Sequence, residues 1–140
     1  MINPLFDALF SPHAGRDTPF LHLQDGQTIS HAAFLAEAAQ YANTLDVLGV
    51  QAGDRVAVHV QKSAQALALY AACVQAGAVF LPLNIAYTAT ELDYFVTDSG
   101  AALFVCDPAE VAEMTPIAKA NGCHLYTLAG DGSGTLADMA

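Results

Sequence analysis

Positive charge is what this 140-residue sequence has least of. Arg16, Arg55, Lys62 and Lys119 face 14 acidic residues, for a net charge of −10. Four scattered cations cannot neutralise a run of phosphates, which argues against nucleic acid or an anionic membrane as a partner. Long apolar runs are also missing: Gly, Pro, Asp, Gln or Lys interrupts every stretch before the roughly 18 residues that a spanning helix needs. The opening Met1-Ile2-Asn3-Pro4 carries no basic residue ahead of an apolar core, so no secretory leader is expected. Cys73, Cys106 and Cys123 are odd in number and lack short paired spacing, which excludes a disulfide framework and a zinc knuckle. In apolar segments such thiols act as small hydrophobes. The expectation is a soluble protein of the reducing cytoplasm.

Signatures of self-contained chemistry are absent as well. Neither the Walker pattern nor GxGxxG occurs, and no Ser sits in a GxSxG elbow. The histidines, at positions 13, 22, 31, 59 and 124, show no HxH or HxxxH spacing, so they read as surface or structurally satisfied residues with no metal to hold.

What is abundant is apolar character. Hydrophobic residues make up 54% of the chain and charged residues only 13%, about half the usual share. So little charge on a small domain predicts an apolar surface that packs against something else, either further chain or an oligomeric partner.

Periodicity organises this apolar content. Asn3 and Pro4 open a short helix ending near Ser11-Pro12. Asp25-Gly26 then turns a small hairpin between Phe20-Leu21-His22-Leu23 and Gln27-Thr28-Ile29. Ser30 caps a helix whose Phe34, Ala38, Tyr41, Leu45 and Leu48 form one stripe, ending at Gly49. From Arg55 the chain alternates: strand 55–60, a helix capped by Ser63 and carrying Leu67, Tyr70, Cys73 and Val74, then strand 78–83 with Pro82 at its end or on an edge. A helix opened by the Thr88/Glu91 capping box and strand 102–106 follow. Asp107 and Pro108 then start a helix that Pro116 should kink or split at Thr115, before a last strand at 124–128. Four strands joined by three helical crossovers predict an α/β fold, a mostly parallel sheet with helices on both faces. The organisation is one partial domain, 1–140: helix and hairpin over 1–30, the α/β layer over 31–129, and a truncated tail over 130–140 led by a flexible Gly-rich turn.

Open parallel sheets bind ligands beyond their carboxyl ends, and here those ends offer Gln61-Lys62, Asn84, Tyr87 and Asp107. Lys62 precedes a helix start, where free N–H groups favour an anion, but without a second donor cluster a solvated loop lysine is the plainer reading. Gly130 to Gly134 has the composition of a phosphate cradle and neither its pattern nor its lysine; a surface turn is the plainer reading. Asp107 and Glu110 are accounted for as helix-start acids.

Three stretches carry a family resemblance. Gly53-Asp54-Arg55-Val56-Ala57-Val58, the helix from Ser63 to Val74, and Gln75 through Asn84 resemble the opening signature of adenylate-forming (AMP-binding) acyl-CoA synthetases. Thr28-Ile29-Ser30-His31-Ala32-Ala33-Phe34 is similar to their first motif, with His31 in place of the usual Tyr and Ala33-Phe34 in place of an acidic-apolar pair. Gln61-Lys62-Ser63, Leu81 through Thr88 and Glu91-Leu92-Asp93-Tyr94-Phe95 look most like malonyl-CoA synthetases. The resemblance implies an N-terminal segment of the synthetase fold. For a complete enzyme it implies a two-step reaction: ATP and a carboxylate give an acyl-adenylate and pyrophosphate, and the CoA thiol then displaces AMP. ATP, magnesium and CoA would serve that enzyme, with none bound tightly by this segment. The family's phosphate loop, magnesium motif, ribose-binding Asp and mobile-domain Lys all lie downstream, so no residue here inherits a catalytic, cofactor-binding or metal role. Three other readings stand beside this one: a fragment of another acyl- or aryl-CoA ligase, a standalone noncatalytic interaction module, and a small nucleotide-binding domain using Lys62.

Overall fold

A computed structural model describes residues 3–140. It shows an α/β architecture with a four-stranded, wholly parallel sheet and a separate two-stranded ribbon. Asn3 caps helix α1 (Pro4–Leu9) by accepting from the Phe6 N–H. A single 3-10 turn, Ser11–His13, leads to strands β1 (Pro19–His22) and β2 (Thr28–Ser30), which pair antiparallel around the Asp25-Gly26 turn. Next come α2 (His31–Val47), β3 (Arg55–His59), α3 (Ala64–Ala76), β4 (Val79–Pro82), α4 (Ala89–Ser99), β5 (Leu103–Cys106), α5 (Val111–Ala120), β6 (His124–Thr127) and α6 (Thr135–Met139).

Local chemistry sets most helix starts. Ser30, Ser63 and Thr88 each accept from the backbone N–H three residues on, satisfying a donor the helix itself cannot. The Glu91 carboxylate returns to the Thr88 N–H at 2.7 Å, completing the expected capping box.

The sheet runs β4-β3-β5-β6, so β3 and β5 are central and β4 is an edge. Alternation along the strands separates two apolar layers. Val56 and Val58 of β3 and Leu103 and Val105 of β5 meet Phe34, Tyr41 and Leu45 of α2 and Leu69 and Ala72 of α3. Ala57, Phe104 and Cys106 face Leu92 and Val96 of α4 and Met114 and Ile117 of α5. Helices therefore cover both faces, and β5, with all four residues buried, reads as the near-continuous apolar run such a strand requires. The stripe on α2 is buried at Phe34, Ala38, Tyr41 and Leu45 and half-buried at Leu48.

Of the two outcomes expected at Pro116, a kink or a split, the split does not occur: α5 runs unbroken across it. The N–H it lacks would have reached Ala112, which is exposed, so water can satisfy that carbonyl. The Gly-rich turn leads into a short helix that the sequence did not suggest, α6, whose Leu136 is fully buried beside Leu128 and the α2–α3 layer. Thr135 clamps the join, its Oγ1 accepting from the Thr127 N–H and its N–H donating to Thr127 Oγ1, both at 2.9 Å. Gly134 makes this approach possible at φ +136, where any Cβ would run into the Thr127 carbonyl. No described helix is long and apolar enough to cross a membrane.

Candidate functional site

Beyond the carboxyl ends of β3 and β4, beside the sheet's open edge, lies a groove of about 1110 Å³. Val58 and Val60 from the β3 end and Phe80 and Pro82 from β4 make its floor; Ser63, Ala66, Leu67 and Tyr70 of the α3 side make one wall. Leu83, Asn84 and Ile85 form the opposite rim. Leu67, grouped by sequence with the buried positions of α3, is 38% exposed because it faces this groove. Ile85, at 61%, is more open still, so apolar surface lies uncovered around the rim.

The groove gathers three of the residues singled out by position, Gln61, Lys62 and Asn84. The other two lie elsewhere. Tyr87 stacks on Phe95 with ring centroids 5.0 Å apart, and Asp107 accepts from the Ala109 N–H to cap the Pro108–Glu110 turn. Lys62 is the groove's one cation and no carboxylate lines it, which gives an apolar receptacle with a single positive point on its rim.

That is not a nucleotide cradle. The α3 start beside Lys62 is already capped, since Ser63 Oγ takes the Ala66 N–H. The Gly130–Gly134 turn lies against the same corner, its glycines crowding the Gln61 and Gln65 side chains. Its donors are turned inward: both the N–H and the hydroxyl of Ser133 go to the Asp131 carboxylate, at 2.9 and 2.6 Å. Those bonds hold the Asp131 carboxyl below its usual range. A negative charge therefore sits where a phosphate loop would place its anion. Among the described residues no three His, Cys, Asp or Glu side chains converge as a metal site. The residues present do not fit a magnesium–triphosphate group.

The opposite face of the sheet holds a constellation that sequence spacing could not show. His59 at the end of β3 is 3% exposed, and its Nδ1 lies 2.9 Å from Glu110 Oε2, a partner 51 residues away. With the carboxylate accepting, Nδ1 carries the proton. His59 Nε2 is buried without a partner among the described residues, so this histidine is not fully satisfied as expected. Cys106 is its register neighbour on β5, which assembles thiol, imidazole and carboxylate in one place. The chemistry of a nucleophilic triad is nevertheless missing. Burial, reinforced by the charges of Glu110 and Asp107, pushes the Cys106 thiol up to about 12, and no hydrogen bond joins it to His59. A cysteine attack needs a thiolate and a base in reach of it. The cluster ties β3 to the start of α5.

Known proteins give this geometry a family. The AMP-binding enzyme profile matches residues 11–137. Feruloyl-CoA synthase from an Amycolatopsis species is 40% identical over 128 residues, 91% of this chain and 25% of its own length. The chain spans about a quarter of the length of the curated relatives it matches. ATP-bound MatB from Rhodopseudomonas palustris superposes with a TM-score of 0.94 at 43% identity, over 99% of this chain and 28% of that structure. A benzoate CoA ligase from Burkholderia xenovorans superposes at 0.83 over 100% of this chain and 29% of its own, at 21% identity, and shows the shared fold.

Proposed function

Because the chain belongs to the AMP-binding enzyme family, we propose that it is the N-terminal scaffold of an ATP-dependent acyl-CoA synthetase acting on malonate. The substrate rests on Gln61-Lys62-Ser63, Leu81 through Thr88 and Glu91 through Phe95, which resemble malonyl-CoA synthetases, and the likeness to ATP-bound MatB at 43% identity over 99% of the chain supports the ATP-dependent scaffold. Gln61-Lys62-Ser63 and, from the second motif, Pro82 through Ile85 line the groove just described.

In this reading ATP, magnesium and CoA serve the complete cytoplasmic enzyme, and the groups that stabilise charge on the transferring phosphate lie outside residues 1–140. Activation of a carboxylate by ATP needs converging donors and metal charge. Four dispersed cations do not supply them. The segment's contribution is mechanical: a sheet covered on both faces, with an apolar groove and an open β4 edge against which the remainder of the synthetase packs.

The 40% identity to feruloyl-CoA synthase supports a second reading, in which the parent is an aryl-CoA ligase. The experiment separating the two is a substrate panel on the full-length synthetase carrying this segment, with ATP, magnesium and CoA. Malonate is expected to give the highest kcat/KM. A preference for ferulate or benzoate would overturn the malonate assignment while leaving the scaffold role intact.

A further inference from the structure

Two histidines and an arginine form a stack at the N-terminal ribbon that neither the sheet nor the groove requires. The His13 ring, on the turn after α1, lies on the His31 ring at the first residue of α2, with centroids 4.8 Å apart and planes 22° from parallel. The Phe20 ring of β1 also packs on His31, with centroids 4.9 Å apart and planes 31° from parallel. Arg16 places Nη1 3.1 Å from His13 Nδ1. A guanidinium can only donate, so His13 Nδ1 must accept, which fixes that ring as the neutral tautomer protonated at Nε2.

The assembly is therefore poorly suited to a charged His31. A proton on His31 would place a cation between Arg16, His13 and the positive end of a 17-residue helix. Phe20 offers no compensating charge, and no acid lies in the first turn of α2. Asp17, beside Arg16, is exposed and bonds to neither ring. Asp7 is engaged with the Ser11 hydroxyl, at 3.2 Å. Desolvation, then the His13 ring and the Arg16 guanidinium, hold the His31 imidazole below its ordinary value.

We propose that the His13–His31–Arg16 stack is an acid-sensitive clasp, holding the segment between the first 3-10 turn and β1 onto the start of α2 at neutral pH and releasing it on acidification. Two backbone bonds lie directly under the stack and report its state: His31 N–H to Thr18 O at 3.1 Å and Ala32 N–H to Arg16 O at 2.9 Å. The sign follows from linkage. A base held below its unfolded value of 6.5 contributes its full stabilisation above that pH and loses it as the pH falls through the folded value. Each proton taken up locally weakens the closed form by at most about tenfold per pH unit.

The test is amide hydrogen exchange read as protection factors at pH 7.5 and 5.5, on the native chain and on His31→Phe, which keeps an aromatic ring against Phe20 and His13. In the native chain, protection at His31 and Ala32 is expected to fall several-fold at the lower pH, about tenfold at most, while Val58 and Val105 in the sheet hold. In His31→Phe the Ala32 loss is expected to disappear. Undiminished protection in the native chain at pH 5.5 would overturn the clasp, as would a parallel loss in His31→Phe. Should that variant not fold, the native His31 ring protons decide by NMR titration: a midpoint at or above 6.5 refutes the proposal.

Discussion

Replacing Gly134 with alanine probes how the tail is anchored. An ideal Cβ there would collide with the Thr127 carbonyl oxygen and come within 2.9 Å of Thr127 Oγ1. The obstacle is backbone of β6, held by its pairing with β5, and cannot swing aside as a side chain would. Two costs add. Backbone at φ +136 is nearly reserved for glycine, and a residue with Cβ there costs about 1–3 kcal/mol. Backing α6 away to relieve the clash breaks the Thr127–Thr135 clamp and uncovers Leu136, whose burial stabilises by about 1.5–3 kcal/mol. The expected loss is about 3–5 kcal/mol. Gly26→Ala is the control: at φ +86 with open space around its Cβ it should lose only about 1 kcal/mol. Urea unfolding followed by circular dichroism reads both. With a slope of about 2 kcal/mol per molar, the Gly134 variant drops its midpoint by roughly 1.5–2.5 M and the control by about 0.5 M. Equal midpoints for the two variants would show that β6 yields freely and that α6 is not docked as described.

Thiol reactivity tests the burial of the cysteines. Burial pushes Cys73 and Cys106 up to about 12, and burial raises Cys123 as well, so native chain at pH 8 should react with a disulfide reagent far more slowly than unfolded chain, which releases three equivalents. Fast stoichiometric labelling of Cys106 in the native state would contradict the closed α5 face. Glu110→Ala removes the one partner of His59 and leaves both ring nitrogens buried and unbonded. We expect a loss of about 1–3 kcal/mol in the same urea assay, and an unchanged midpoint would mean that the pair holds nothing.

Features written within a few residues of each other were legible in the sequence. Ser30, Ser63 and the Thr88–Glu91 box each act over three positions, so type and spacing sufficed, and the four-residue and three-residue steps from Phe34 to Leu45 located the buried face of α2. Features that join distant positions were not. The hydrogen bond between His59 and Glu110 spans 51 residues, and both read locally as ordinary: one a strand histidine, the other an acid near a helix start. Helix α6 went unseen because five residues after a run of glycines carry too little periodicity, and only the cavity left by α2, β6 and α3 explains why Leu136 fits. The groove emerged from strand order. Gln61, Lys62 and Asn84 converge because β3 and β4 are neighbours at one edge, whereas Tyr87 and Asp107 leave from the other layer. Exposure of Leu67 was hidden by the same ignorance, since helical spacing shows which residues share a face and not whether anything covers it.

The central claim, that this layer braces an ATP-dependent site without forming one, meets its most direct test in the 140-residue chain alone with malonate, magnesium–ATP and CoA. Pyrophosphate release should stay at the level of the protein-free blank at every protein concentration, and ATP titrated into the chain should give no saturable heat. Malonate-dependent pyrophosphate release that scales with protein concentration would contradict it.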